Sequence, residues 1–186
     1  MTEIRQWSRD ELAAGCDDLL DVYADAMDVD PWSARARRPI LLAHLERRGL
    51  RAVAAYDEDR LVGVAYGYLG EAGQWWHDQV HRAIGDRAAQ QWLTDCFEVC
   101  ELHVRPTHQG SGIGRGLLTA LLSDQSAQTA VLSTPDHETR ARAFYRAGGW
   151  VDLVADLIFP GDPRAFAVLG LRLDNQVVTP PPIAAQ

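Results

Sequence analysis

The part of this sequence best suited to bind a ligand is a glycine-rich turn between an apolar strand and an apolar helix. Its glycines alternate with other residues, at positions Gly110, Gly112, Gly114 and Gly116. A residue without a side chain lets a ligand come close to the backbone. The first N–H groups of the following helix lack partners within the helix and lie at the positive end of its dipole. The sequence therefore predicts a site for a phosphate or pyrophosphate group at this turn.

Two widespread phosphate-binding motifs do not fit the spacing of the turn. A P-loop needs a lysine followed by serine or threonine, and this chain has only Arg115 nearby. A dinucleotide fingerprint needs Gly-x-Gly-x-x-Gly, and one that starts at Gly110 ends on Arg115. One that starts at Gly112 ends on Leu117, and only Asp136 could serve, loosely, as its acidic ribose partner. Both motifs are disfavoured.

The spelling that fits is Gln109-x-x-Gly112-x-Gly114, preceded by Val104-x-Pro106. It resembles the loop that binds the pyrophosphate of acyl-CoA in the GCN5-related N-acetyltransferase (GNAT) superfamily. The resemblance implies acetyl-CoA as co-substrate, with the pantetheine arm paired to the backbone of the preceding strand. The positions implied to bind it are Leu102, His103, Val104, Gln109, Gly110, Ser111, Gly112, Ile113, Gly114, Arg115 and Glu138. A glycine-rich turn that binds nothing is the alternative.

A second segment, residues 141–150 (ARAFYRAGGW), is similar to the superfamily's Ala-x-x-x-Tyr-x-x-x-Gly-Phe segment. The resemblance implies that Tyr145 lies beside the coenzyme sulfur and acts as general acid. A departing thiolate, with a reference pKa near 8.5, benefits from such a proton donor. The alternative is that the Tyr145 ring only packs between helix and sheet. One position departs from the family, because Glu138 stands where an asparagine often contacts the coenzyme.

An amine must lose its proton before it can attack an acyl group, and a lysine-like amine has a pKa near 10.4. A carboxylate that acts directly or through water is the usual base. Glu98 and Glu101 stand on the strand before the loop. Some members of the superfamily carry a base at the position matching Glu98, and others at the position matching Glu101. In a regular strand the two side chains point to opposite faces, so only one would meet the acceptor unless the strand is bulged. His103 is a third candidate, because histidine titrates near neutral pH.

The elements that must position these residues alternate between helices and strands. The resemblance implies an α/β fold with a mixed, mostly antiparallel central sheet, flanked by helices and splayed at the central strand. Predicted helices cover residues 8–26, 33–48, 77–93, 112–124 and 134–146, and predicted strands cover 2–7, 50–56, 61–69, 97–104, 130–133, 150–159 and 165–173. A capping-box pair, Ser8 and Glu11, begins the first helix. Residues 1–174 form one predicted domain, and 175–186 form a proline-containing tail.

Residues 70–96 are interpreted as an insertion near the acceptor site, because the family's minimal plan joins these strands more tightly. The segment carries Trp75, Trp76 and Trp92. Large amphipathic side chains of this kind could form a wall or lid over the acceptor site. A helix packed into the core or a homodimer contact is the alternative.

Composition limits the remaining classes of function. The 186 residues carry a net charge of −8, which argues against nucleic-acid binding and is compatible with a cationic amine acceptor. Arginines such as Arg35, Arg37 and Arg38 are interpreted as solvated helix faces. No membrane span, signal pattern or third metal ligand beside His77 and His81 stands out, so we expect a cytoplasmic protein without a metal.

The resulting hypothesis is an N-acetyltransferase that moves acetyl from acetyl-CoA to a primary amine by direct attack. The acceptor is a small-molecule amine or an amine of a peptide or protein. The leading alternative is a non-catalytic regulatory module that binds acyl-CoA, and a nucleotide-binding protein of another kind is the second.

Overall fold

A seven-stranded sheet organises residues 2–137 and 139–173, the part of the chain that the computed structural model describes. The strands are β1 (Thr2–Trp7), β2 (Arg51–Asp57), β3 (Arg60–Gly70), β4 (Cys96–Val104), β5 (Thr129–Pro135), β6 (Val151–Ile158) and β7 (Ala165–Arg172). They lie in the order β1-β2-β3-β4-β5-β7-β6, and every pair is antiparallel except β4 with β5. The predicted mixed, mostly antiparallel sheet is confirmed.

The two parallel strands at the centre of the sheet stay together only at one end. β4 pairs with β5 at Cys96, Phe97 and Glu98. On its other side, β4 pairs with β3 all the way to Val104. From Val99 onward, β4 therefore has no pair on β5 within the described residues. This is the predicted splay at the central strand.

Eight α-helices within the described residues cover the two faces of the sheet. They are α1 (Arg9–Ala14), α2 (Cys16–Met27), α3 (Pro31–Arg35), α4 (Arg38–His44), α5 (Trp75–Ile84), α6 (Asp86–Trp92), α7 (Ile113–Leu122) and α8 (Arg140–Ala147). The predicted capping box begins α1, with Ser8 and Glu11 each accepting the other's backbone N–H. The predicted helix over 8–26 is interrupted at Gly15, where a Cβ would lie only 2.8 Å from Cη2 of the Trp7 ring. None of the described helices is long and apolar enough to cross a bilayer.

Alternation along the strands supplies a core on each face of the sheet. On β2, Val53 and Ala55 enter one core, whereas Ala52 and Ala54 enter another. Helices α7 and α8 pack on the first core, and α1, α2 and α4 pack on the second. A third core lies under α5 and α6, against β4–β7. The glycine-rich turn and Tyr145 thus belong to one face, and the first helices to the other.

The tryptophan-rich segment contains two helices, so the prediction of one helix over 77–93 is wrong. Gly85 has φ 78°, a left-handed conformation that suits glycine, and it separates α5 from α6. Trp76 donates from Nε1 to Ser133 Oγ at 3.1 Å and packs against the third core. Trp75 is half-exposed beside Phe159. That the segment is an insertion near the acceptor site stays a prediction, and the predicted tail lies outside the described residues.

The close approach of β3 to β4 gives a test of the fold. In Gly67→Ala, the new methyl group would overlap the backbone oxygen of Glu98 and lie 2.6 Å from Phe97 Cε1. We expect the free energy of unfolding to fall by about 1–3 kcal/mol, as for other overpacked sites. Chemical denaturation measures it. The control is Gly114→Ala in α7, where the methyl meets Val104 at an ordinary 3.8 Å. A Gly67→Ala protein as stable as the wild type would contradict this packing.

Candidate active site

The glycine-rich turn leaves open space above the start of α7. Gly110 and Gly112 have φ values of 78° and 90°, which glycine adopts readily. A Cβ added to either residue would meet no atom within 4 Å. Gly112 occupies the N-cap position of α7, and no side chain caps the helix there. The first amides of α7 are thus left for a ligand, and an anionic diphosphate fits them.

Two polar side chains that were predicted to bind the coenzyme hold the turn itself. Gln109 Nε2 donates to the Val104 carbonyl at 2.9 Å. Ser111 Oγ donates to the His108 carbonyl at 2.6 Å. In this state both side chains fix the conformation of the turn, while their backbone groups stay beside the open space.

The other loop positions differ in what they can offer. The Ile113 side chain is buried in the first core, so only its backbone can face a ligand. Arg115 is exposed. Gly116, the fourth glycine of the turn, allows α7 to pack on β1, since a Cβ there would lie 2.6 Å from Ile4 Cδ1. Glu138 lies outside the described residues.

The backbone of β4 faces the gap between β4 and β5. Arg105 donates its N–H to the Val62 carbonyl on β3 at 2.8 Å. Neighbouring residues of a strand direct their polar backbone groups to opposite sides. The backbone groups of Leu102 and Val104 therefore point away from β3, into the gap. An extended ligand can pair with them as a strand would.

A β-bulge places both candidate glutamates on one face of β4. Across the β3–β4 ladder the pairs are Tyr66↔Glu101, Gly67↔Val99 and Tyr68↔Glu98. Cys100 is the extra residue without a partner on β3, and it shifts the alternation of side chains by one position. Glu98 and Glu101 therefore point to the same face, the arrangement that required a bulge.

Two side chains, Arg37 and His103, contact the Glu101 carboxylate. Its Oε1 accepts from Arg37 Nη2 at 2.5 Å, and its Oε2 lies 2.5 Å from His103 Nε2. Burial alone would raise the pKa of Glu101, but the contacts with His103 and Arg37 outweigh it and lower the pKa to about 2. Glu101 is therefore an ionised carboxylate at neutral pH.

A small open cavity leads to this carboxylate from between α2 and α4. Tyr23 forms one wall, with its ring edge-on to His103 at 5.1 Å and under the Arg37 guanidinium at 4.7 Å. The cavity is lined by Leu19, Leu20, Tyr23, Arg37, Ile40, Leu41, Tyr66 and Glu101.

Tyr145 lies on α8 with its ring in the first core, 5.5 Å from the Trp150 ring. Burial, and then the negative charge of Glu101, raise the pKa of the Tyr145 hydroxyl. The hydroxyl thus stays protonated at neutral pH and can donate a proton. Arg142, one turn earlier, anchors the helix through a buried ion pair with Asp136.

Glu98 is buried in a much less polar setting than Glu101. It is 5% exposed, and its Oε2 has no hydrogen-bond partner within the described residues. Burial raises its pKa to about 8, despite opposing hydrogen bonds to Cys100 and Tyr68. The protonated acid is therefore its main form at neutral pH, which makes Glu98 a weak candidate for the base.

Three residues of this neighbourhood, Tyr23, Arg37 and His44, carry no local motif and were missed by sequence reasoning. Arg37, predicted to lie on a solvated face, reaches Glu101, and Tyr23 covers His103. His44 joins Tyr66 through Nδ1 at 3.1 Å and approaches the Tyr68 hydroxyl through Nε2 at 3.5 Å. Their helices are separated from β4 in sequence, so only the folded chain brings these residues together.

The chain is similar in sequence to known acetyltransferases. The acetyltransferase (GNAT) family model matches residues 4–149. A GCN5-like protein acetyltransferase of Mycobacterium tuberculosis, Rv2170, is 36% identical over 186 residues, covering 84% of this chain and 90% of that protein.

Solved structures of low sequence identity share the fold. A GNAT-family protein from Desulfovibrio desulfuricans matches with a TM-score of 0.66 at 17% identity, over 93% of this chain and 99% of that one. A Salmonella typhimurium protein solved with its cofactor acetyl-CoA matches with a TM-score of 0.63 at 16% identity, over 95% of this chain and 96% of that one.

The buried Glu98 predicts a pH dependence of stability. The folded state raises its pKa from 4.5 to about 8, so the folded protein binds more protons than the unfolded chain between these values. Its favourable contribution is complete below the unfolded pKa and is lost as the pH rises through about 8. We expect Glu98→Gln, which stays neutral, to become progressively more stable than the wild type from pH 5 to pH 8. Urea denaturation across this range measures the difference, and a constant difference would contradict it.

Proposed function

This chain belongs to the acetyltransferase (GNAT) family and is an acyltransferase, and we propose that it moves the acetyl group of acetyl-CoA onto a primary amine of a protein. The observation that carries the proposal is the open side of β4. There the backbone of Leu102 and Val104 runs from the glycine-rich turn toward Glu101. A long, thin donor with a diphosphate at one end and a thioester at the other matches this layout.

The donor would be held mainly by backbone groups. The amides that follow Gly110 and Gly112 would bind the diphosphate, with Arg115 as a nearby counter-charge. The pantetheine arm would pair with Leu102 and Val104 along the gap. One of these two N–H groups would then polarise the thioester carbonyl as charge develops on its oxygen.

Tyr145 is proposed to protonate the departing thiolate. Its raised pKa keeps the hydroxyl protonated at neutral pH, so a proton is at hand when negative charge develops on the sulfur. The anchoring of α8 by Arg142 and Asp136 would fix the direction of that hydroxyl. The alternative of a purely packing role predicts no effect of its removal on turnover.

The acceptor is proposed to be a protein amine because the relative from M. tuberculosis is a protein acetyltransferase and covers most of both chains. The acidic surface, with a net charge of −8, favours a cationic side chain such as lysine.

The proposed activity is tested by release of free thiol from acetyl-CoA with a panel of small amines, peptides and proteins. We expect release with lysine-containing proteins, and acetyl-lysine in the product by mass spectrometry. We expect Tyr145→Phe to lower kcat by about 100-fold, the usual scale for loss of a general acid, with acetyl-CoA still bound. The matched control is Tyr56→Phe, since that hydroxyl contacts Trp7 away from the gap. A wild-type protein that releases no thiol with any amine would contradict the proposal.

The glycine-rich turn allows a test of donor binding with an internal control. Gly112 and Gly161 have nearly the same φ, 90° and 91°, and a Cβ at either would meet nothing within 4 Å. Alanine should therefore strain both backbones similarly. We expect only Gly112→Ala to weaken acetyl-CoA binding, by about tenfold or 1.4 kcal/mol, because its methyl enters the space above α7. Calorimetric titration with acetyl-CoA measures this, and equal affinities of the two variants would place the diphosphate elsewhere.

A further inference from the structure

We propose that His103 is the base that deprotonates the acceptor amine, and that Glu101 is a positioning residue that holds the His103 ring. The inference rests on the proposed function and concerns the acceptor side of the same site. It assigns to His103 a role in the reaction in place of a role in coenzyme binding, and it removes Glu101 from direct proton transfer.

The contacts of Glu101 leave it little capacity to act as the base. Both of its oxygens are engaged, one by Arg37 and the other by His103, each at 2.5 Å. Each oxygen keeps a second acceptor site, but an ammonium bound there would lie beside the Arg37 guanidinium, whose like charge opposes it. Glu101 also has a pKa of about 2, so it gives up an acquired proton too readily to hold one at neutral pH.

The same contacts orient the His103 ring. An ionised carboxylate can only accept hydrogen bonds, so the Nε2 atom that faces Glu101 must carry hydrogen. In the neutral ring, the lone pair is then on Nδ1, and no hydrogen bond to Nδ1 forms within the described residues. Tyr23 packs edge-on against the ring and restricts its rotation. His103 thus presents one basic nitrogen in a fixed direction.

The surroundings determine how readily the pair takes up a proton. The titratable or charged groups near it are Tyr23 and the Asp25–Arg105 ion pair on the α2 side, Arg37 and His44 on the α4 side, Tyr66 on β3, Cys100 on β4, Tyr145 on α8, and Arg164 before β7. Arg37 is satisfied by Glu101, so the carboxylate is the negative group in direct contact with the ring. Its charge stabilises the imidazolium that forms when His103 accepts a proton.

Protons and charge are conserved in the proposed step. The acceptor ammonium gives one proton to His103 Nδ1, which makes an imidazolium and a neutral amine. The nitrogen lone pair forms a bond to the thioester carbonyl carbon, and the carbon–sulfur bond then breaks with its electron pair on sulfur. Tyr145 gives its proton to the thiolate, and the second proton lost by the nitrogen restores the tyrosine. The imidazolium finally releases its proton to water, so the reaction yields an amide, CoA thiol and one proton.

The test is the pH profile of kcat/KM for His103→Gln and Glu101→Gln with the acceptor that the wild type uses best. The wild type should lose activity on the acid side as His103 becomes protonated. His103→Gln should lack this acid limb and have a kcat lower by about 100-fold, with an unchanged Kd for acetyl-CoA. Glu101→Gln should keep an acid limb but displace it to lower pH, because the negative charge beside the imidazolium is lost.

A second His–carboxylate pair of this chain supplies matched controls. His81 lies 2.9 Å from Asp86 on the exposed side of α5 and α6, so His81→Gln and Asp86→Asn should change neither kcat nor the pH profile. His103→Asn is the second variant if His103→Gln does not fold.

Two outcomes would overturn the inference while leaving the acetyltransferase activity in place. One is a His103 variant that keeps the wild-type acid limb and kcat. The other is a Glu101→Gln enzyme whose activity falls equally at every pH, since a merely structural carboxylate would behave in that way. Loss of acetyl-CoA affinity in His103→Gln, with kcat retained, would instead return His103 to coenzyme binding. A wild type inactive on every amine would overturn the proposed function itself.

Discussion

The site depends on an asymmetry in the pairing of β4. One side of this strand is hydrogen-bonded to β3 from end to end, whereas the other meets β5 at Cys96, Phe97 and Glu98 alone. The paired side fixes the strand firmly in the sheet. The unpaired side leaves a row of backbone donors and acceptors beside the glycine-rich turn, and the proposed pairing with the pantetheine arm uses that row. Helices α7 and α8 both pack on one face of the sheet. The first core therefore fixes the positions of the glycine-rich turn and Tyr145 relative to β4.

The bulge at Cys100 brings two glutamates to one face and yet gives them opposite protonation states. Glu98 is buried and forms no ion pair within the described part of the chain, and burial therefore keeps its proton on. Glu101 lies one step beyond the bulge, where Arg37 and His103 compensate for the loss of water. The same residue type thus provides a neutral buried acid at one position and a fixed negative charge at the other. The difference arises from the partners that α2 and the chain before α4 bring to β4.

Much of the fold could be predicted from the sequence, because its signals are local. The capping box at Ser8, the glycine-rich turn and the apolar alternation of the strands each depend on a few neighbouring residues. The bulge could not be predicted, since it is a matter of register between two strands. The role of Arg37 depends in the same way on a contact with Glu101, a residue distant in sequence. Gly85 was a visible signal for the break between α5 and α6, but the apolar pattern on both sides of it favoured one helix.

The unpaired side of β4 differs from an ordinary strand edge. Exposed strand edges ordinarily lie at the border of a sheet, where a strand of another molecule can join them. Here the edge is inside the sheet, in a wedge that closes where β4 meets β5. Gln109 further occupies the Val104 carbonyl at the wide end. A strand of another molecule's sheet would bring its neighbouring strands with it, and β4 and β5 already occupy both sides of this wedge. An unpaired edge inside the sheet is therefore closed to a second sheet, whereas the proposed pantetheine arm, a single chain, could still pair with it.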